Sequence, residues 1–522
     1  MKRESLVKRL VMFVLVTMII AGCSTAKSDK QEGTSKADGA DNKGGTLVIT
    51  RQSDAENLDH QFMSTINAAS VTHGKVYEGL VGRDKNANIK PLLAEAWEQV
   101  NETTWQFSLR QGVKFHDGTD FTADAVKATF DRLLDPNVGS PRAVVFKMVE
   151  EVVVVDPYTV QFILTEPFSP ILSILASHEG GIINPKTIEK YGKEIIQEPN
   201  GTGPFMYESW TPGQEIVLKK NEQYWGSSVN VDKVVFKVVP EETTRISMLQ
   251  TGEAHIAEPL SVAMMDTVEA SSNVSVYRSE GFGTEYIGFN VTQAPFDDER
   301  VRKAIAHAVE MDSIIQGVYN NVGRKANSLL GSKVFGHHEG LTPYEYNLNE
   351  AKKLLADAGY PDGFKATLKT MDNRERINLA EVLQSQLKGI GIDLSIQVLE
   401  YGTFVDHVNR GDSEIFLLSW RNATGDADYN QYNLLHSSSH GPSGNTFFYS
   451  NEKVDKLIED ARREMDSQKR IELYAQAQEL QMEDAVYIPV RVIENVSATS
   501  KDVSGFFISP SGYLEINEVS IK

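Results

Sequence analysis

One cysteine, Cys23, stands in 522 residues. No intrachain disulfide is available, so an exported fold built from this chain must rest on its core alone. Catalytic signatures are missing as well. There is no GxSxG elbow, no Walker A loop and no HExxH pair, and the glycines Gly281 and Gly283 are followed by Tyr286 where a dinucleotide fingerprint requires a third glycine. The pattern points away from an enzyme. Positive charge is scarce, with 52 Lys and Arg against 72 Asp and Glu and a net charge of −20. Such a surface repels phosphate backbones, which argues against a nucleic-acid partner.

What is present begins with a leader. Lys2, Arg3, Lys8 and Arg9, offset by Glu4, precede an apolar run over residues 10–22. That run is shorter than the roughly 20 residues a membrane span needs. A basic flank and a short apolar core are the pattern of a secretory signal peptide over residues 1–22. Setting its charges aside leaves about −23 on the rest. Ile20, Ala21, Gly22 and Cys23 resemble a bacterial lipobox, which makes Cys23 the expected lipidation site. Residues 24–44 carry no aromatic and no large aliphatic side chain, so they cannot bury enough surface to offset their ordering entropy. With Cys23 they are expected to form a lipidated tether reaching about 25 Å.

The remaining chain exceeds one core of ordinary size, and at least two lobes are expected. Its content of 41% hydrophobic and 24% charged residues is that of a globular protein. Trp105, Phe107 and Leu109 alternate with Gln106, Ser108 and Arg110, the period of a half-buried strand. Residues 152–155 and 159–164, split by Asp156, Pro157 and Tyr158, read as a hairpin. Helical spacing follows Phe121, with Thr122 placed as N-cap. Between 286 and 492, strands at 286–291, 366–369, 393–398, 415–420 and 486–492 alternate with helices near 298–310, 350–358, 376–389, 453–464 and 468–482. Asn349 is the expected cap of one helix and Gly359 its terminator. Such alternation predicts an α/β lobe with an open sheet.

Read in order, a series of short segments resembles the family 5 extracellular solute-binding proteins, the dipeptide-, oligopeptide-, nickel- and glutathione-binding components of ABC importers. They include Tyr77 to Leu80, Leu93 to Trp97, Gly112 to Gly118, Gly201 to Phe205, Tyr224 with Trp225, Met248 to Glu253, Phe289 with Asn290, Ala351 to Leu355, and Ile488 with Pro489. The resemblance implies an α/β, two-lobed periplasmic-binding-protein-like fold (class II, the large cluster C type) with a hinge and an interlobe cleft. Lobe one is expected at 45–284 plus 493–522 and lobe two at 285–492. Asn290 to Phe296, Tyr191 to Glu194, Ala423 to Asp428 and Gly505 to Phe507 look most like the glutathione-binding branch.

The family also implies ligand contacts. An Asp three residues after a strand-ending Trp holds the ligand ammonium in dipeptide and oligopeptide binders. Here the Trp is Trp420 and the third residue is Ala423, so Asp426 and Asp428 farther along the loop are the candidates; Asp426 also has the chemistry of a turn cap. The Arg that holds a dipeptide carboxylate is replaced by Thr370, which leaves Arg374 and Arg376 as candidates. Trp420 supplies an aromatic wall, Thr65 and Asn67 contact the ligand from lobe one beside Met63, and Thr284 lies at the first crossing between lobes. The expected ligand is a short peptide or glutathione, without a cofactor. Further expected partners are ABC permease subunits and, through the lipid, the membrane; the protein is expected to be a monomer. Nickel chelates are the competing cargo within the family, although His337 and His338 are the only metal-like pair noted. A lipoprotein that senses peptides for signalling would share the same fold.

Overall fold

The computed structural model describes residues 44–522. The leader, Cys23 and all but the last residue of the expected tether lie outside the described residues. No helix among the described residues is long and apolar enough to cross a membrane.

Alternation at 104–110 does produce a strand. Thr104–Leu109 buries Trp105, Phe107 and Leu109 and lies between Ala94–Asn101 and Thr159–Leu164; Val149–Asp156 completes a four-stranded antiparallel sheet. The helix Ala123–Leu134 packs on it. Phe130 meets Phe162 edge-on at 4.9 Å and Phe146 at 5.1 Å. Edge-on aromatic pairs add about 0.5–1.5 kcal/mol each beyond the area they bury. Thr122 occupies the N-cap position with extended backbone but makes no side-chain cap bond.

Among the described residues the larger sheet has eleven strands, ten in line and the short Arg324–Lys325 paired with Tyr487–Ser500 off that line. Its middle is a pair of long antiparallel strands, Val274–Phe289 and Tyr487–Ser500. On one side of the pair Ile415–Trp420, Lys365–Met371 and Asp393–Leu399 follow in that order. On the other side come Ile256–Glu258, Thr46–Arg51 and Lys233–Val238, then Glu215–Lys220 and Phe205–Thr211. The register between the long strands shifts between Glu280 and Thr284 and again between Glu285 and Tyr286. Before the first shift, Val274–Phe289 pairs with residues 494–500; after it, with 487–492 and with Ile415–Trp420.

The half of the sheet around 415–420 is buried on both faces. Ile287, Leu368, Ile415 and Leu417 face the helices Glu299–Ala308, Leu348–Asp357 and Arg374–Lys388. Tyr286, Phe416 and Tyr487 face the opposite core, with Phe404, Val454 and Ala477. Gly288 is required there, because a Cβ would stand 2.3 Å from the Phe416 ring. Another core gathers Leu47, Ile49, Val234 and Phe236 with Leu514 and Ile516 from the C-terminal region.

Two local expectations are corrected. The helix near 350 is capped by Asn347, whose side chain accepts from the amides of Asn349 and Glu350, so Asn349 lies inside the helix; Gly359 follows it at φ +94°. The helix expected over 298–310 ends at Ala308. Val309 and Glu310 are extended, and Glu310 caps a new helix, Met311–Gly317.

Candidate functional site

Four strands end at one place. Thr46–Arg51, Ile256–Glu258, Lys365–Met371 and Ile415–Trp420 direct their carboxyl ends toward a cavity of about 520 Å³. Open α/β sheets collect ligands at such ends, and the volume lies within the usual range for small-molecule sites, about 300–1,000 Å³. One wall carries Gln52, Asn67 and Glu258; the facing wall carries Asn373, Glu375 and Arg421. Arg491, Ile493, Glu494 and Asn495, where the central strand crosses, form the floor. Gly281, Phe282 and Gly283 fall between the paired stretches of their strand. The Phe282 amide donates to the Pro510 carbonyl at 2.8 Å, and a Cβ at Gly283 would stand 3.3 Å from Arg421 Cγ.

Most charge at this site is already paired. Arg491 donates through Nε to Glu285 at 2.9 Å, through Nη2 to Glu375 at 3.0 Å and through Nη1 to the Val322 carbonyl at 2.9 Å, while its guanidinium lies 3.6 Å from the Tyr319 ring centroid. Arg376 stands 3.5 Å from Glu285 and donates to Ser419 Oγ at 2.9 Å, leaving its buried Nη1 without a partner. Burial pushes the Glu285 carboxyl up, but Arg376 and Arg491 outweigh it and hold the pKa below the ordinary value. Glu258 pairs with Arg51 at 2.6 Å and Glu494 with Arg278 at 2.6 Å.

Arg421 differs. It is solvent-exposed and donates to Asn495 Oδ1 at 3.3 Å, but no carboxylate among the described residues lies in ion-pairing range. Desolvation by the surrounding walls, followed by repulsion from Arg491, lowers its pKa.

The residues singled out from sequence fall into three groups. Asn67 lines the cavity and donates to Ser53 Oγ at 2.6 Å, and Arg376 joins the ion network beneath it. Thr65, Arg374 and Trp420 flank it. Thr65 caps the helix Ile66–Thr72 and donates to Glu56; Arg374 is the exposed first residue of its helix; Trp420 is half-buried against Tyr429, with ring centroids 5.7 Å apart. The other three are engaged elsewhere. Thr284 is fully buried and donates to the Leu329 carbonyl at 2.8 Å. Asp426 accepts both guanidinium nitrogens of buried Arg470, at 2.8 and 3.1 Å, and caps the Asp428 amide. Asp428 lies 2.9 Å from Arg462, and its pKa is pushed up to about 6, chiefly by burial. The structure therefore brings neither aspartate to the cavity.

Arg421, Glu375, Arg491 and Glu258 were missed by sequence reasoning. Arg421 adjoins Trp420 and Glu375 sits between Arg374 and Arg376, so proximity to the flagged positions was the available signal. His337 and His338 do not converge: His337 contacts Asn327 Oδ1 at 2.8 Å and His338 lies 3.3 Å from Glu479. Among the described residues no group of three or more His, Cys, Asp or Glu is arranged to hold a metal.

Comparison with known proteins agrees with this architecture. A family model described as the middle part of bacterial extracellular solute-binding proteins, family 5, matches residues 88–442. The chain is 34% identical over 455 residues to the glutathione-binding protein GsiB of Salmonella typhi, covering 85% of this chain and 89% of that protein. The periplasmic binding protein DppA of Helicobacter pylori, solved with the peptide STSA, superposes with a TM-score of 0.76 at 29% identity, covering 92% of this chain and 99% of that one. A dipeptide-binding protein of Pseudoalteromonas sp. SM9913, solved with Met-Leu, gives 0.77 at 26% identity, covering 92% and 100%. With the periplasmic-binding-protein fold and a cavity at the carboxyl ends of its strands, this chain belongs to the family 5 bacterial extracellular solute-binding proteins.

Proposed function

We propose that this protein captures a short peptide, glutathione included, outside the cytoplasmic membrane and delivers it to an ABC permease, held to the membrane by a lipid on Cys23. The observation that carries the reading is a cavity whose lining carries both signs of charge, Glu258 and Glu375 with Arg421. A zwitterion needs both once water leaves, because an unpaired buried charge is costly. The relatives' ligands support the same class: glutathione for GsiB, and the peptides STSA and Met-Leu in the solved structures.

In this reading lobe one comprises residues 45–284 with 493–522 and lobe two comprises 285–492, joined at the register shifts near Glu285 and Val492. The lobes close on the ligand by a hinge motion. Asn67 faces the ligand from lobe one; from lobe two, the segment Asn373 to Arg376 and the residues after Trp420 face it.

Calorimetric titration with Met-Leu, Ser-Thr-Ser-Ala, reduced glutathione and a nickel–histidine chelate tests the assignment. Binding of a peptide or glutathione without turnover, with a smaller radius of gyration in solution scattering, is the expected result. Binding of the chelate alone would transfer the assignment to metal-complex capture.

A further inference from the structure

Arg421 has a place in the cleft that paired cations do not share. Of the two cationic side chains lining the cavity, Arg491 already contacts Glu285, Glu375 and the Val322 carbonyl. The acids around it are matched too, Glu258 by Arg51 and Glu494 by Arg278. Arg421 has one hydrogen bond, to a neutral amide at 3.3 Å. A guanidinium carries five donors in a planar fork that fits a carboxylate with two parallel bonds. Its exposure is to the cavity, so a ligand that displaces water from that space leaves the fork without its solvent partners. Repulsion from Arg491 adds to the demand for an anion.

Resting on the peptide-binding reading above, we infer that Arg421 pairs with a carboxylate of the bound ligand and that the cleft selects peptides in which this carboxylate is free. Gly283 contributes by leaving room for the Arg421 side chain to lie along the crossing strand, since a Cβ there would come within 3.3 Å of Arg421 Cγ. The acid placed to take the ligand ammonium is Glu375, on the same wall, whose side chain is 36% exposed and engages Arg491 through one oxygen.

The test is a thermodynamic cycle by calorimetry on the full mature chain. Wild type and Arg421→Gln are titrated with Met-Leu, Ser-Thr-Ser-Ala and reduced glutathione, with their C-terminal amides, and with the glutathione analogue lacking the glutamyl α-carboxylate. Removing the recognised carboxylate is expected to weaken wild-type binding at least about 30-fold, the lower range for a desolvated charge pair, and to weaken the variant by less than about 3-fold. The unliganded melting temperature of Arg421→Gln should match wild type, which separates lost recognition from lost folding. If wild type binds acids and their carboxylate-free analogues equally, or if the loss is the same in both proteins, the inference is overturned while the peptide reading stands. If wild type binds none of the free acids, both fall.

Discussion

Glu285 and Arg491 face each other across the two central strands, 2.9 Å apart, at the point where the register between those strands shifts. Both are buried, and the same carboxylate is 3.5 Å from Arg376 in the first turn of the helix Arg374–Lys388. One carboxylate thus ties the crossing strands to the wall of the cavity. Glu285→Gln leaves two buried guanidinium groups without their shared anion. Removing one partner of a buried pair typically costs about 3–5 kcal/mol. Urea denaturation should show a loss of that size, and a change below about 1 kcal/mol would mean the network contributes little to the fold.

Asp426 and Arg374 were both candidates for ligand charges, and the structure separates them. Asp426→Ala orphans Arg470 in the interior, so it should lower stability by about 3–5 kcal/mol. Arg374 is exposed, and Arg374→Ala should stay within about 0.5 kcal/mol of wild type. Thermal and chemical denaturation of the two variants gives the comparison.

Glu78 supplies a pH test. Its carboxylate is buried and accepts from Tyr224 at 2.7 Å and from Trp225 and Thr202 at 2.8 Å, with Arg110 the nearby cation. Burial outweighs these partners and pushes the pKa up to about 7. The folded state therefore holds this proton more tightly than the unfolded chain does. Its contribution to stability is complete below the ordinary value of 4.5 and is lost as pH rises through about 7. Glu78→Gln removes that dependence, so between pH 4.5 and 7.5 the variant should gain on wild type by an amount on the order of 3 kcal/mol. Parallel stability curves for the two proteins would contradict the raised value.

Cys23 supplies a test of attachment. Cys23→Ser should remain folded and bind ligand, yet move from the detergent phase to the aqueous phase in phase-partitioning of whole cells. Unchanged partitioning would remove the lipid from the account.

Much of the fold was readable because it follows from periodicity. Trp105, Phe107 and Leu109 alternate in sequence and are buried together, and the helix expected at 453–464 forms as Glu452–Arg463. The break after Ala308 was not readable, since Val309 and Glu310 are not helix breakers and the partner of the Glu310 amide, Gln386 Oε1 at 3.0 Å, is distant in sequence. At the site, Asn67, a contact implied by the family resemblance, lines the cavity. Asp426 could not be resolved, because its partner Arg470 is 44 residues away. Arg421 was overlooked for a related reason. What distinguishes it is the want of a carboxylate neighbour, and a neighbour's absence exists only in three dimensions.

The cavity wall also includes Ile508, Gly512 and Leu514, and its floor belongs to a strand that begins at Tyr487. Until residues 487–500 have joined it, the large sheet lacks the strand that links Ile256–Glu258 to Val274–Phe289, and the cavity lacks its floor. A chain cut before residue 487 would hold neither this floor nor this wall, so in the proposed function it would compete with the intact protein for no ligand.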